Sequence, residues 1–578
     1  MVGLNAIYSS DVSSIADQFS SAQKSMLHYP PYKSNIFFKD NYIIIGSTCF
    51  AQYPITNIED DTSFIAIEGE IYNIDDDLIK QFLIDIANSL HRGLGYKDDI
   101  LNFITKADGE FIVLIYNKLS HKLCAFNDLL GRLPFYYYQN EKVLALSREI
   151  KFAYPFIRTL TFDKTGVIEY LLYGFELGER TLIQGLGRLL PACIVCYQSG
   201  MVEFSKEQVS PLNLEPDISS DARKNSQESI QILKENFLTG LMNRTQKLRL
   251  KMPVIALSGG LDSRTTLAGL MTCKIAPKGI TRNGTLAEEQ ELRYTRKIAE
   301  LFGIPLIELF PTDEDNNEDY IRFVSLFDAA LVGSLKTMVN IGEQICRREG
   351  PDIVYYTGLY GGEMFRYLNP TSGFSSDDDL VEYLFTTPDT FLYNPQKVSA
   401  MLQISTREMR EHIKDHISTY LERDPYSKYL HFKFEYDYRW AGVGEDKNRL
   451  FYWTVTPFYS KEFFFRSYAI EEQKKSTLFF RNFMLAIDPK TCSVGYYNNG
   501  MSLSSPVMLS ILGIAERAVR NTKIRQLTWQ MINLKSRFVP SCQPDPKNEK
   551  YRAMALDLLE KSNIIRGIVS FQPLTPIM

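Results

Sequence analysis

Pro253–Gly269 reads PVIALSGGLDSRTTLAG, and the fold is read outward from it as strand, loop and helix. Val254–Leu257 is a short apolar run that stops at Ser258, Gly259 and Gly260, as a buried parallel strand does. Glycine has no Cβ, so bare backbone can approach a ligand at this loop. From Leu261 the spacing is helical. The free N–H groups of the loop and the helix N-terminus then converge on one place, which suits an anion such as pyrophosphate. Asp262, on the same turn, is a candidate Mg²⁺ ligand against the phosphates, and Ser258 and Ser263 add hydroxyl donors. The loop is not a Walker A loop, which requires GxxxxGK[ST].

The 578 residues are enough for two or three domains with a large core. Hydrophobic residues make up 45% and charged residues 23%, which is ordinary globular usage. The net charge of −5 carries no basic surplus, so no nucleic-acid partner is expected. No apolar run approaches the ~18 residues of a membrane span. The first residues, MVGLNAIYSSD, lack the basic and apolar regions of a signal peptide, so a cytoplasmic protein is expected. The eight scattered cysteines then read as reduced, mostly buried thiols. Cys193 and Cys196 form a CxxC without a second pair for zinc, and read as structural. His412 and His416 share a helix face, without a third ligand nearby, and read as a solvated face.

Upstream, residues 1–205 are dense in short apolar or alternating runs: NYIIIGSTCF, SFIAIEGEIYN, GEFIVLIYNK, KLCAFND, PFYYYQ and KVLALSR. Ile74–Ser89 and Lys97–Thr105 have helical spacing. The pattern predicts two layered antiparallel sheets with helices. Ser205–Asp221 carries prolines, serines and acids without period, and the segment 206–225 reads as a linker. Ser226–Leu248 predicts a long helix that leads into the strand at Val254. Downstream, strands are expected at Lys278–Arg282, Pro305–Leu309 and Asp352–Tyr356, with a helix at Ala287–Phe302. Such alternation gives a parallel, doubly wound sheet over 226–520, with its ligand at the carboxyl ends of the strands. Residues 521–578 are basic first and then helical at Lys550–Lys561, and read as a C-terminal extension without a catalytic motif.

SGGLDS resembles the pyrophosphatase loop of the N-type ATP enzymes, which split ATP to AMP and pyrophosphate. GEIYN (Gly69–Asn73), DGEFIVLIY (Asp108–Tyr116), NDLLGRLPFYYY (Asn127–Tyr138), ALSREIK (Ala145–Lys151) and GERTLIQGLGRLLPA (Gly178–Ala192) resemble the glutaminase domain of glutamine-dependent asparagine synthetase. Together the resemblance runs from Met1 to about Leu512. It implies an N-terminal-nucleophile amidotransferase sandwich, then an ATP-pyrophosphatase domain with a helical C-terminal part. It also implies that a carboxylate is adenylated and an amine displaces AMP. Leu257, Ser258, Gly259, Gly260, Leu261, Asp262, Ser263 and Gly361 would then bind ATP, and Asp262 and Glu363 would bind Mg²⁺.

The departures decide the subtype. The family opens Met-Cys-Gly-Ile, and its cysteine attacks glutamine. Here Val2 precedes Gly3 and has no nucleophilic atom. The Arg-Gly-Pro-Asp clamp is missing around Tyr29–Asn35. Gly69 and Glu70 remain, but equally make a turn before a strand. The domain is therefore expected not to hydrolyse glutamine, like the degenerate domains of β-lactam synthetase and lasso-peptide cyclases. In YTGLYGGEMFRY (Tyr356–Tyr367), Tyr360 matches the position where β-lactam synthetase has a tyrosine that helps deprotonate the amine. A tyrosine of ordinary pKa ~10 needs a partner for this, and Glu382 is the nearest downstream candidate. Plain packing is the competing reading of Tyr360. Arg439, Asp446 and Arg449 resemble a run beside the acyl pocket, and either hold a carboxylate or phosphate or form a solvated ion-pair network. The family's charge-stabilising lysine slot falls near Tyr497, and Lys490 is the only basic residue in that segment.

The expectation is an ATP-dependent, AMP-forming amide ligase. It would act on a small-molecule or peptide carboxylate, with an internal amine (lactam or macrolactam closure) or free ammonia. A peptide substrate would bring a precursor-processing partner. The alternative is a catalytically silent nucleotide-binding regulatory or scaffold protein.

Overall fold

A computed structural model describes residues 2–198, 201–207, 226–283, 286–310, 335–365, 374–386, 393–470 and 475–495, with the single positions 326, 503 and 514. The expected linker beyond residue 207, the slot at Tyr497 and the tail from 521, with its helix at Lys550–Lys561, lie outside the described residues.

The first part is built on two six-stranded antiparallel sheets. One runs β10 (Leu186–Arg188), β8 (Tyr136–Gln139), β9 (Val143–Ser147), β1 (Gly3–Ser9), β3 (Ile43–Cys49), β2 (Lys33–Lys39). The other runs β12 (Met201–Glu207), β11 (Ile194–Gln198), β7 (Lys122–Asn127), β6 (Gly109–Asn117), β5 (Ser63–Ile71), β4 (Ile55–Glu59). Central strands are apolar at nearly every position because both faces are covered, and β6 is buried from Glu110 to Asn117. The edge strands β2 and β4 carry polar residues and are largely exposed, which discourages pairing with another chain. The helix Asp76–Arg92 carries Asp76 and Asp77 in its first turn and His91 and Arg92 in its last, and stops at Gly93 with φ 72°. It buries Ile79, Leu83, Ile86 and Leu90 on one face.

Three expectations are corrected here. The strand β12 pairs with β11 as far as Glu207, so the first part extends past residue 205. Gly69 and Glu70 lie inside β5, opposite Phe111 and Glu110, and do not form a turn before a strand. Cys124 and Cys196 face each other across β7 and β11 with Cα atoms 4.2 Å apart and are joined as a disulfide, so not every cysteine is a thiol. Register explains the pairing, because directly opposed positions of two strands bring their side chains into reach.

The second part holds a five-stranded parallel sheet, ordered β15 (Leu306–Leu309), β14 (Lys278–Arg282), β13 (Met252–Ala256), β16 (Ile353–Tyr356), β17 (Trp453–Val455). Successive residues of its strands enter different apolar clusters: Val254, Ile280 and Ile353 join one, Ile255 and Val354 the other. Both faces are therefore covered. The order reverses at β13, which has β14 on one side and β16 on the other. In open α/β sheets, the crevice at such a reversal is where ligands bind.

The two parts are joined through a buried seam. Tyr32 Oη donates to the Leu450 carbonyl at 2.7 Å, and Trp453 Nε1 to Tyr72 Oη at 3.2 Å. Arg244 pairs with Asp108 at 2.8 Å. Helix Thr406–Ser418 also takes part, which corrects the solvated reading of its histidines. His416 is buried, with Nε2 3.1 Å from Glu435 Oε2 and Nδ1 3.1 Å from Arg180 Nη2. His412 Nε2 lies 3.2 Å from Glu169. Burial would raise the Glu435 carboxyl, but His416, His431 and Arg439 outweigh it and hold it down to about 2. A carboxyl lowered on folding stabilises fully above its ordinary value, and that stability is lost as the pH falls through the folded value. Between pH 5 and 2 the protein is expected to lose about 3 kcal/mol more than a Glu435→Gln protein. Denaturant midpoints across that range measure this, and parallel curves would refute it.

Candidate functional site

The loop Ser258–Gly260 leaves the carboxyl end of β13 and enters the helix Leu261–Thr272 at the sheet's reversal point. Its backbone N–H groups are held by side chains. Ser258 N donates to Ser263 Oγ at 3.0 Å, Gly260 N to Ser258 Oγ at 3.2 Å, and Gly259 N to Glu291 Oε1 at 3.0 Å. Arg264, wholly buried, gives Nη2 to the Gly259 carbonyl at 3.0 Å and to that of Gly495 at 3.1 Å. Its Nη1 reaches the carbonyls of Thr491 at 3.0 Å and Val494 at 2.7 Å. One guanidinium thus ties the loop to residues 491–495.

The second loop, 357–360, follows β16, leads into the short helix Gly361–Phe365 and lies directly against the first turn of the helix Leu261–Thr272. A Cβ on Gly358 would strike Ser263 N and stand 2.5 Å from the Asp262 carbonyl carbon, and one on Gly361 would stand 3.0 Å from Asp262 Cβ. Thr266 Oγ1 adds a bond to the Thr357 carbonyl at 3.1 Å. The two acids expected to hold a metal therefore stand on the first turns of two helices whose entries touch, Asp262 in Leu261–Thr272 and Glu363 in Gly361–Phe365. No group of three or more His, Cys, Asp or Glu poised for a metal occurs among the described residues. The oxygen donors of Asp262, Glu363, Ser258 and Ser263 fit Mg²⁺, a hard cation usually held by one or two carboxylates together with phosphates and water.

The other expected residues fare differently. Tyr360 is buried at 3% exposure and lies in an aromatic stack, with ring centroids 4.7 Å from Tyr459 and 5.7 Å from Phe464. Its hydroxyl is 3.1 Å from that of Tyr468. The stack fits the packing reading of this residue. Glu382 is not brought to it: its carboxylate pairs with Arg410 at 2.5 Å on an exposed face. Lys490 is exposed, in a turn (Pro489–Cys492) next to the residues clamped by Arg264. Glu291 and Arg264 were missed by sequence reasoning, although both stand close to the loop. Their spacing from it carries no signal until the helix Leu286–Phe302 and residues 491–495 are folded against it.

Arg439, Asp446 and Arg449 are neither solvated nor open to a ligand. Arg449 is 2.5 Å from Glu110, 3.2 Å from Glu445 and 3.2 Å from Asp446. Arg132 is 2.7 Å from both Glu110 and Glu445, and Arg148 is 2.7 Å from Asp446 and 2.8 Å from Glu68. Arg439 donates to the carbonyls of Gly178 and Arg180. Burial works against the charge on Arg148, but Asp446 and Glu68 outweigh it and raise its pKa above the ordinary value. At the head of the chain this ladder occupies the space over β1. Glu68 accepts from Leu4 N at 2.7 Å, Tyr53 Oη at 2.6 Å and Arg148 Nε at 2.8 Å. A Cβ on Gly3 would collide with both Glu68 oxygens, and Val2 beside it is buried.

Residues 1–208 match the family described as "Glutamine amidotransferase domain". No curated protein matches the chain. Among solved structures it is similar to the glutamine phosphoribosylpyrophosphate (PRPP) amidotransferase from B. subtilis complexed with ADP and GMP. The identity is 10%, over 73% of this chain and 94% of that one, with a TM-score of 0.25. A structure described as the allosteric regulatory enzyme of purine biosynthesis is similar at 11% identity, over 73% of this chain and 92% of that one, with a TM-score of 0.24. Scores this low carry no argument. The family match gives the first part as a glutamine amidotransferase-type domain, which supports an enzyme of amide chemistry. Among the described residues no helix is long and apolar enough to cross a membrane.

Proposed function

We propose that this chain is an ATP-dependent, AMP-forming amide ligase of the asparagine synthetase-like kind that does not use glutamine. The observation that carries the reading is the contact of two loop-to-helix turns at the carboxyl ends of β13 and β16, with Asp262 and Ser263 of one against Gly358 and Gly361 of the other. A loop rich in N–H donors at that position suits the phosphates of ATP. A carboxylate oxygen of the substrate attacks the α-phosphorus and pyrophosphate leaves. An amine then attacks the acyl carbon and AMP leaves. Ser258, Gly259, Gly260 and Ser263 hold pyrophosphate, and Asp262 and Glu363 hold Mg²⁺, which when bound neutralises phosphate charge. Lys490 is the cationic candidate for the acyl step. Tyr360 supports the second loop by stacking.

The absence of glutamine chemistry is supported at the head of the chain. Val2 offers no nucleophile, and the Glu68–Arg148–Asp446 ladder fills the neighbouring space. The amine then comes from free ammonia or from the substrate itself.

The test is pyrophosphate release from MgATP over a panel of small-molecule and peptide carboxylates, with ammonium, with glutamine, and with neither. Carboxylate-dependent release that glutamine does not stimulate is expected, and it should fall about 10²–10³-fold in Asp262→Ala. Glutamine stimulation would overturn the glutaminase-silent part. ATP binding without release under any condition would favour a silent nucleotide-binding scaffold.

A further inference from the structure

Gly259 is held on both sides, at its N–H and at its carbonyl, by charged side chains from different helices. Its carbonyl accepts from Arg264 and its N–H donates to Glu291 Oε1, each at 3.0 Å. Glu291 belongs to the helix Leu286–Phe302, which comes very close. A Cβ on Gly259 would stand 3.0 Å from Glu291 Cγ and 3.1 Å from its carbonyl oxygen. The adjacent N–H groups are turned inward as well, but onto the hydroxyls of Ser263 and Ser258. A hydroxyl can rotate and become a donor to an arriving anion. An ionised carboxylate only accepts, so on Gly259 it takes the hydrogen bond that a phosphate oxygen would take.

We infer that Glu291 sets the anion selectivity of this loop, as a built-in competitor for the Gly259 N–H that must turn away before a polyphosphate can bind. This rests on the reading of the loop as a phosphate site. Once turned away, the carboxylate is still close enough to oppose a bare anion, because like charges a few ångströms apart in a half-buried site interact strongly. A polyphosphate carrying Mg²⁺ brings a cation that offsets this opposition. The loop therefore favours metal-complexed polyphosphate and rejects free phosphate and free pyrophosphate, which matters for a site whose product is pyrophosphate.

The experiment is calorimetric titration of the full chain with pyrophosphate, with and without Mg²⁺, for wild type, Glu291→Gln and Glu291→Ala. Glutamine keeps an oxygen acceptor for Gly259 N–H and removes the charge. Metal-free pyrophosphate is expected to bind Glu291→Gln about tenfold tighter than wild type, with a smaller gain in Mg²⁺. Glu291→Ala should also bind it more tightly. Wild-type binding of pyrophosphate in Mg²⁺ with equal or weaker binding by both variants overturns the inference and leaves the phosphate-loop reading standing, since Glu291 would then only shape the loop. No binding by wild type in either condition removes the loop reading and the inference with it.

Discussion

A Gly358→Ala protein is expected to lose pyrophosphate release and about 3 kcal/mol of stability together. The added Cβ would strike Ser263 N and lie 2.5 Å from the Asp262 carbonyl carbon and 2.8 Å from Ser263 Cα. All three atoms are backbone at the first turn of a buried helix, so no side chain can swing aside. The strain must separate the two turns, and separation moves the first turn that carries Asp262 away from the segment that carries Glu363. Gly361→Ala is the control. Its nearest neighbours are the Phe458 ring at 2.8 Å and Asp262 Cβ at 3.0 Å, and a ring can shift a few tenths of an ångström. Urea midpoints and steady-state pyrophosphate assays on both variants measure this. A Gly358→Ala protein as stable and active as wild type would mean that the two loops do not touch as described.

Arg449→Met is expected to cost about 3–5 kcal/mol. Arg449 serves Glu110 from the first part and Glu445 and Asp446 from its own helix, and its guanidinium carbon lies 5.0 Å from the centre of the Trp453 ring. Methionine preserves much of the apolar stem and removes the charge, leaving buried carboxylates without one of their cations. The loss should therefore be larger than the worth of the intact ion pairs, because an uncompensated buried charge is the costly species. Adding Glu110→Gln to Arg449→Met should recover part of the loss, whereas independent sites would add. Chemical denaturation of the single and double variants decides it. A loss under ~1 kcal/mol would show that solvent reaches the seam.

The same seam separates what local reading can reach from what it cannot. The parallel strand into SGGLDS, the helix after it and the alternating runs of the first part were legible, because period, turn residues and glycine act over a few neighbours. The alternation gave a parallel, doubly wound sheet, but the strand order that reverses at β13 came from the fold. His412 and His416 read as a solvated face, since their i, i+4 spacing says nothing about Glu169, Arg180 and Glu435 closing over them. Arg439, Asp446 and Arg449 read as ligand groups or surface charges for the same reason, and Glu382 read as a partner of Tyr360 although it pairs with Arg410.

By itself the sequence determined the two kinds of sheet, the loop at the carboxyl end of the first parallel strand, and the lack of a nucleophile at Val2. Each is written within a few consecutive residues, where backbone preference and side-chain chemistry act directly. Only the tertiary structure decided that Glu68, Arg148 and Asp446 fill the space at the head of the chain, that Arg264 ties the loop to residues 491–495, that Tyr360 is stacked among aromatics, and that Glu291 occupies the Gly259 N–H. Those are contacts between residues remote in the chain. Their energies come from burial and from charges brought within ~3 Å, and neither exists until the chain has folded.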